Sequence, residues 1–164
     1  MSPSDVKAAA EAFSRSYGEA IDLTTQEGVS AEELATALVG HYSPKFISFN
    51  HGYVTSAGDD DANFWQTGVT KYLQTFQKAG LGWKMRLQNY RVEVLTPSAA
   101  ACHLTWEIMP ANGDGWSWTN VYGWRDGEST SPNGSKGAWE YTVSDNETDE
   151  LLKRVPGFME LMGR

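Results

Sequence analysis

The sequence predicts an α+β domain: three helices in the N-terminal half packed against a curved, cone-like antiparallel sheet, with a short helical tail at the C-terminus. Three observations carry the prediction. Apolar residues recur at three- and four-residue spacing as far as Phe76, whereas from Trp83 onward the period is two. The two patterns are segregated along the chain instead of alternating, which sets helices on one face of a hairpin-connected sheet. Hairpin-linked strands twist and curve, so a sheet closed by helices encloses a hollow. No repeat or linker breaks the order, and 164 residues suffice for one domain, 1–164, with a sizeable core.

The first helix starts at Ser2 or Ser4, with Pro3 suited to its first turn and Asp5 to the positive end of its dipole. Val6, Ala9, Phe13, Tyr17, Ala20 and Ile21 form its buried stripe, and Gly28 interrupts it. Ser30 and Glu33 have capping-box spacing and open a second helix carrying Leu34, Ala37, Leu38 and His41. "KFISFNHGYVT" reads as a strand followed by a turn at His51-Gly52. Asp59 to Asp61 form a solvated loop, with Asp61 as the cap of a third helix. Its apolar side holds Phe64, Trp65, Val69, Tyr72, Leu73 and Phe76, and Gly80 and Gly82 end it.

"WKMRLQNYRVEVL", "AAACHLTWEIM", "WSWTNVYGWR" and "AWEYTVSD" are the strands that follow. The loop "DGESTSPNGSKG" has the composition of a mobile connection, and "TDELLKRVPGFMELM" that of a helical turn, a proline break and an apolar tail. Pairing Pro110 with Trp116 sets Trp106 opposite Asn120, Ile108 opposite Trp118, and Leu104 opposite Tyr122. One face of this hairpin then carries Cys102, Leu104, Trp106, Ile108, Trp118, Asn120, Tyr122 and Trp124. Each indole can bury about 150–250 Å², too much to leave in water. Asn120 is the polar exception on that face. Either neighbouring protein groups satisfy its amide, or it reads a bound molecule.

Composition excludes several functions. The net charge of −8 and the absence of a basic stripe argue against nucleic acid and anionic membranes. No apolar run approaches the roughly 18 residues of a membrane span. The N-terminal segment lacks a secretory pattern, and one cysteine, Cys102, fits a reducing compartment, so a cytoplasmic location is expected. Nothing has metal-ligand spacing, and the glycines do not form a phosphate loop, so no cofactor is expected.

Among the three histidines, His41 suits the negative end of the second helix, and His103 falls on the outward strand face beside Glu107. His51 is the acid–base candidate, at a strand end near the expected mouth of the cone and close to Tyr53.

The order of elements over residues 5 to 147, "GVTKYLQTF" on the third helix and "VSDN" after the aromatic hairpin resemble the nuclear transport factor 2-like superfamily. That group includes ketosteroid isomerases, scytalone dehydratases and polyketide cyclases. The resemblance implies a conical pocket and a homodimer formed through the outer sheet face. It carries over no catalytic set: Tyr17 falls on the helix corresponding to the isomerase tyrosine, but the strands supply no matching Asp.

Two readings follow. In the first, a cofactor-independent isomerase, dehydratase or cyclase acts on a small hydrophobic molecule. Tyr17, Tyr53, Trp65, Tyr72, Trp106, Trp118 and Tyr122 line the pocket, His51 moves a proton, and Asn120 steadies developing negative charge. In the second, the hollow is filled by its own side chains and the domain is a non-catalytic dimerisation or protein-interaction module. His103, Thr105, Glu107 and Thr119 then form the partner surface.

Overall fold

The computed structural model describes residues 1–163. α1 (Pro3–Asp22) leads through a short 3-10 turn (Leu23–Thr25) to α2 (Ala31–Val39). The hairpin β1 (Tyr42–Asn50) and β2 (Tyr53–Ser56) precedes α3 (Phe64–Lys78). The long strands β3 (Met85–Thr96), β4 (Ala99–Ile108), β5 (Trp116–Thr130) and β6 (Lys136–Val143) follow, then α4 (Asp145–Arg154) and α5 (Phe158–Leu161). The expected α+β class holds.

Local chemistry accounts for the helix starts. Ser2 Oγ accepts the Asp5 backbone N–H at 3.2 Å, and Asp5 returns a bond to the Ser2 N–H, closing a capping box ahead of α1. At α2 the Ser30 half of the predicted box forms, with Oγ accepting the Glu33 N–H at 3.1 Å. α3 differs from expectation. It starts at Phe64, and Asp61 accepts the Asn63 N–H at 3.2 Å in the approach to the helix instead of capping it.

The sheet is curved and unclosed, in the order β2-β1-β6-β5-β4-β3. It is mixed, not wholly antiparallel, because β1 pairs with β6 in parallel. A parallel pair needs a long crossover, and α3 with the β3–β5 meander provides it. α1 lies across β3 and β4. Close approach is possible because Gly18 has no Cβ; one placed there would sit 2.8 Å from Leu87 Cδ2.

The β4–β5 register is shifted by two residues from the sequence expectation: Ile108 pairs with Trp116, Trp106 with Trp118, and Leu104 with Asn120. Met109 donates its N–H to Lys84 O at 2.8 Å and Ala111 to Leu81 O at 3.1 Å, which turns the chain away before Pro110 can pair. A two-residue shift keeps every side chain on its face. The inward set is therefore the expected one, and Trp116 joins it.

Two further segments differ from expectation. β5 runs on to Thr130, and the connection after it is anchored to α1. Ser131 Oγ lies 3.0 Å from Ser16 Oγ, and Asn133 Nδ2 donates to Ser16 O at 3.1 Å. Ser16 Oγ is also 2.9 Å from His41 Nε2, while His41 Nδ1 donates to Ala37 O at 2.9 Å. His41 is thus a satisfied, buried structural group. The strand "AWEYTVSD" ends at Val143, and the following residues begin α4.

Candidate functional site

The inward rings interlock. Tyr17 meets Trp106, Tyr122 and Trp139 edge-on, with centroids 5.7, 5.4 and 5.7 Å away. Phe13 stands against Trp139 at 4.8 Å, and Tyr42 stacks on Phe46 at 4.0 Å. Two surface depressions stand out among the described residues. One, of about 250 Å³, is walled by residues such as Arg15 and Leu87; the other, of about 540 Å³, by residues such as Gln66 and Lys78. Neither is lined by Asn120 or His51. The aromatic residues expected to line a cone pack against one another here.

One polar spot interrupts this packing. It forms where β6 stops. β6 pairs with β5 no further than Val143 opposite Val121, which leaves the earlier residues of β5 without a partner strand on that side. α4 covers the gap: Asn146 Oδ1 accepts the Thr119 N–H at 2.7 Å, meeting an otherwise orphaned donor. Asn50 Nδ2 donates to Thr148 Oγ1 at 2.6 Å and to Ser144 Oγ at 3.0 Å, fixing the start of α4 against β1. With α4 so placed, Glu147 points its carboxylate into the domain.

Glu147 Oε1 accepts Asn120 Nδ2 at 2.7 Å, and Oε2 accepts the Tyr72 hydroxyl. Asn120 Nδ2 also reaches the Tyr122 hydroxyl at 3.4 Å. Tyr17 Oη and Tyr42 Oη are 3.2 Å apart in the same region. Hydroxyls from α1, β1, α3 and β5 therefore gather around one carboxylate from α4.

Burial pushes the Glu147 carboxyl above the usual carboxylate range, against the opposing pull of hydrogen bonding from Tyr72 and Asn120. The Trp118 indole lies near enough to add to that pull, although its Nε1 forms no hydrogen bond of good geometry. Burial first, and then the Glu147 charge, hold Tyr72 and Tyr122 well above the ordinary phenol value; Tyr42 is pushed up to about 12 by burial. All of these hydroxyls stay neutral at physiological pH.

Two buried polar atoms beside the carboxylate lack partners: Asn120 Oδ1 and Trp118 Nε1. Asn120 is 2% exposed and Trp118 5%. Such orphaned groups are uncommon in folded proteins and call for a ligand or bound water. Tyr72 and Glu147 are half-buried, so this end of the interior approaches solvent, as do Tyr42 and Trp65 on the β1 side.

Of the residues singled out in the sequence, the structure brings Tyr17, Tyr72, Trp106, Trp118, Asn120 and Tyr122 into this interior. Trp65 stands at its β1 side, against Tyr42 and Phe46. Tyr53 is apart, 79% exposed on the edge strand β2. His51 is also outside the group. With φ 48° and Gly52 at 81° it makes a two-residue hairpin turn, and its ring pairs with Asp149 at 2.9 Å on the exposed side of α4. Tyr42, Trp139 and Glu147 belong to the interior and went unnoticed in the sequence. Cys102 is buried, and burial pushes its thiol up to about 11, which leaves it unreactive.

Among the described residues no helix is long and apolar enough to cross a membrane. No protein-family model and no curated protein matches the sequence. Solved structures resemble the fold. An NTF-2 like protein of unknown function from Shewanella oneidensis MR-1 superposes with a TM-score of 0.55 at 11% identity, covering 87% of this chain and 98% of its own. A candidate ketosteroid isomerase from Shewanella frigidimarina gives 0.52 at 11% identity, covering 84% and 95%. A protein of unknown function with a cystatin-like fold, from Nostoc punctiforme, gives 0.53 at 8% identity, covering 84% and 87%. Element order, curved sheet and these superpositions together give the chain the nuclear transport factor 2-like fold.

Proposed function

We propose that the protein binds a small, mainly apolar molecule at the polar spot, with Glu147 placed to exchange a proton with it. The observation that carries this reading is a buried carboxyl beside two unpartnered buried polar atoms, Asn120 Oδ1 and Trp118 Nε1, inside an aromatic interior. A purely structural carboxyl there is hard to justify, since burying one costs more than an apolar side chain of equal size. Raised proton affinity and exclusion of water are what a cofactor-free isomerisation or elimination asks of its acid–base group. The Tyr122 hydroxyl, which accepts from Asn120 Nδ2, can turn its own O–H toward negative charge that develops beside it. The proton-moving role thus passes from His51, at the surface, to Glu147. Because the rings interlock, entry is expected on the side of the half-buried Tyr72 and α4.

The test is native mass spectrometry for a co-purified molecule, followed by tryptophan-fluorescence titration with hydrophobic metabolites. Saturable quenching that weakens in Asn120→Ala and Glu147→Gln is expected. Titrations unaffected by either change would remove the site from this spot.

A second reading is favoured by one observation on the opposite sheet face. Val54, Phe49 and Val143 are register neighbours across β2, β1 and β6, and they are 63%, 39% and 37% exposed. This row, more than the polar His103–Thr119 surface, suits homodimer formation. Light scattering on the wild type and Phe49→Glu tests it: a dimer that becomes a monomer is the expected result.

A further inference from the structure

Glu147 has no counter-ion. Among the described residues no Lys, Arg or His pairs with it; Lys153 and Arg154 on the same helix are engaged by Glu150, and His51 by Asp149. The groups that do face it are the hydroxyl of Tyr72, the amide of Asn120 and the indole of Trp118, all neutral. That amide can be oriented in only one sense, because its oxygen would repel the carboxylate. Oδ1 is consequently turned away from Glu147, buried and without a donor. The spot therefore offers a carboxylate and a free amide oxygen as acceptors, against one free donor, the Trp118 indole N–H. Tyr72, Trp118 and Tyr122 border it, and the faces of such rings attract cations.

We infer that the molecule bound at this site carries a protonated amine on an apolar or aromatic body. The ammonium N–H groups bond to Glu147 and to Asn120 Oδ1, its charge replaces the missing counter-ion, and the apolar body lies among the rings. An anion would meet the carboxylate with like charge, and the protein's net charge of −8 disfavours its approach as well. The inference rests on the ligand-binding reading above and assigns the chemistry of the ligand's polar end.

The experiment uses the full chain and three probes of one shape, phenethylamine, 2-phenylethanol and phenylacetate, titrated near neutral pH by calorimetry and tryptophan fluorescence. Phenethylamine is expected to bind on the order of tenfold tighter than the alcohol, with no binding of phenylacetate. The preference should collapse in Glu147→Gln, whose folding is checked by circular dichroism. The comparison within the wild type stands even if that variant does not fold. Equal binding of amine and alcohol, or tighter binding of the carboxylate, overturns the ammonium assignment while leaving the site intact. Failure of all three probes at millimolar concentration overturns the assignment and the binding reading together.

Discussion

Asn120 Nδ2 donates to Glu147 Oε1 at 2.7 Å, and this bond ties the middle of β5 to the first turn of α4. Asn120→Ala removes a donor from a buried carboxylate. The expected cost is about 1–3 kcal/mol, which for a domain of this size lowers Tm by roughly 2–12 °C. With one donor fewer, the Glu147 carboxyl should titrate at still higher pH, read by carbon-detected NMR of labelled glutamate side chains. A stability loss with an unmoved titration midpoint would mean that the amide packs against Glu147 without bonding to it.

Glu147→Gln tests the same carboxyl from the other side. Its folded-state pKa lies above the ordinary 4.5, so in the interval between those values the native state holds more protons than the unfolded one. Stability from this group is complete below 4.5 and is lost as pH rises through the elevated value. The facing tyrosines, Tyr17, Tyr42, Tyr72 and Tyr122, titrate far above this interval and do not blur it. Gln keeps the shape without the charge. The variant should melt a few degrees higher than wild type at about pH 8 and nearly level with it at about pH 4. Equal destabilisation at both pH values would assign the carboxylate a structural role.

The segregation of helical and strand periods was enough to read the class of the fold, and strict alternation in β4 and β5 was enough to read the inward face. The site was only half legible. Tyr17, Tyr72, Trp118, Asn120 and Tyr122 announce themselves as large or polar residues at core spacing. Glu147 does not. "VSD" reads as a strand end and "TDELLKR" as a helical turn, so Glu147 falls between the two, and Ser144 makes no side-chain cap to show that α4 begins at Asp145. What turns Glu147 inward is a long-range circumstance, the early end of β6 and the unpaired stretch of β5 beside it. His51 misled for the opposite reason. Its chemistry suits catalysis, but an acidic face of α4 claims the ring at the surface.

His41 should set the acid limit of stability. Burial lowers its pKa below the ordinary 6.5, although hydrogen bonds at the α2 terminus act in the other direction. The unfolded chain therefore takes up a proton first as the solution is acidified. Stability from this group is intact above 6.5 and declines as pH falls from there through the lowered value, a sign opposite to that of Glu147. His41→Asn should cost stability at neutral pH, because Ser16 and Ala37 lose a partner, and should flatten the decline on the acid side. Urea denaturation of both proteins across this range measures the two slopes. An unchanged acid slope in the variant would transfer the effect to another group.

Gly137 is where the β5–β6 hairpin tolerates least change. Its φ of 103° lies in the region that side chains avoid, and a Cβ would strike the Trp124 indole, with Arg125 O only 2.7 Å away. Trp124 cannot retreat: it is fully buried and donates Nε1 to Lys136 O at 3.2 Å. Backbone strain and overpacking each contribute about 1–3 kcal/mol, so Gly137→Ala should shift the denaturation midpoint by the equivalent of about 2–6 kcal/mol. Gly127, on β5 but with open space around its Cα and no left-handed φ, is the control. Gly127→Ala should fall within about 0.5 kcal/mol of wild type. If the two variants prove alike, the indole does not cross Gly137 as described. The polar spot would then lose part of its framework, since Tyr122, two residues before Trp124, is held in place by the same hairpin.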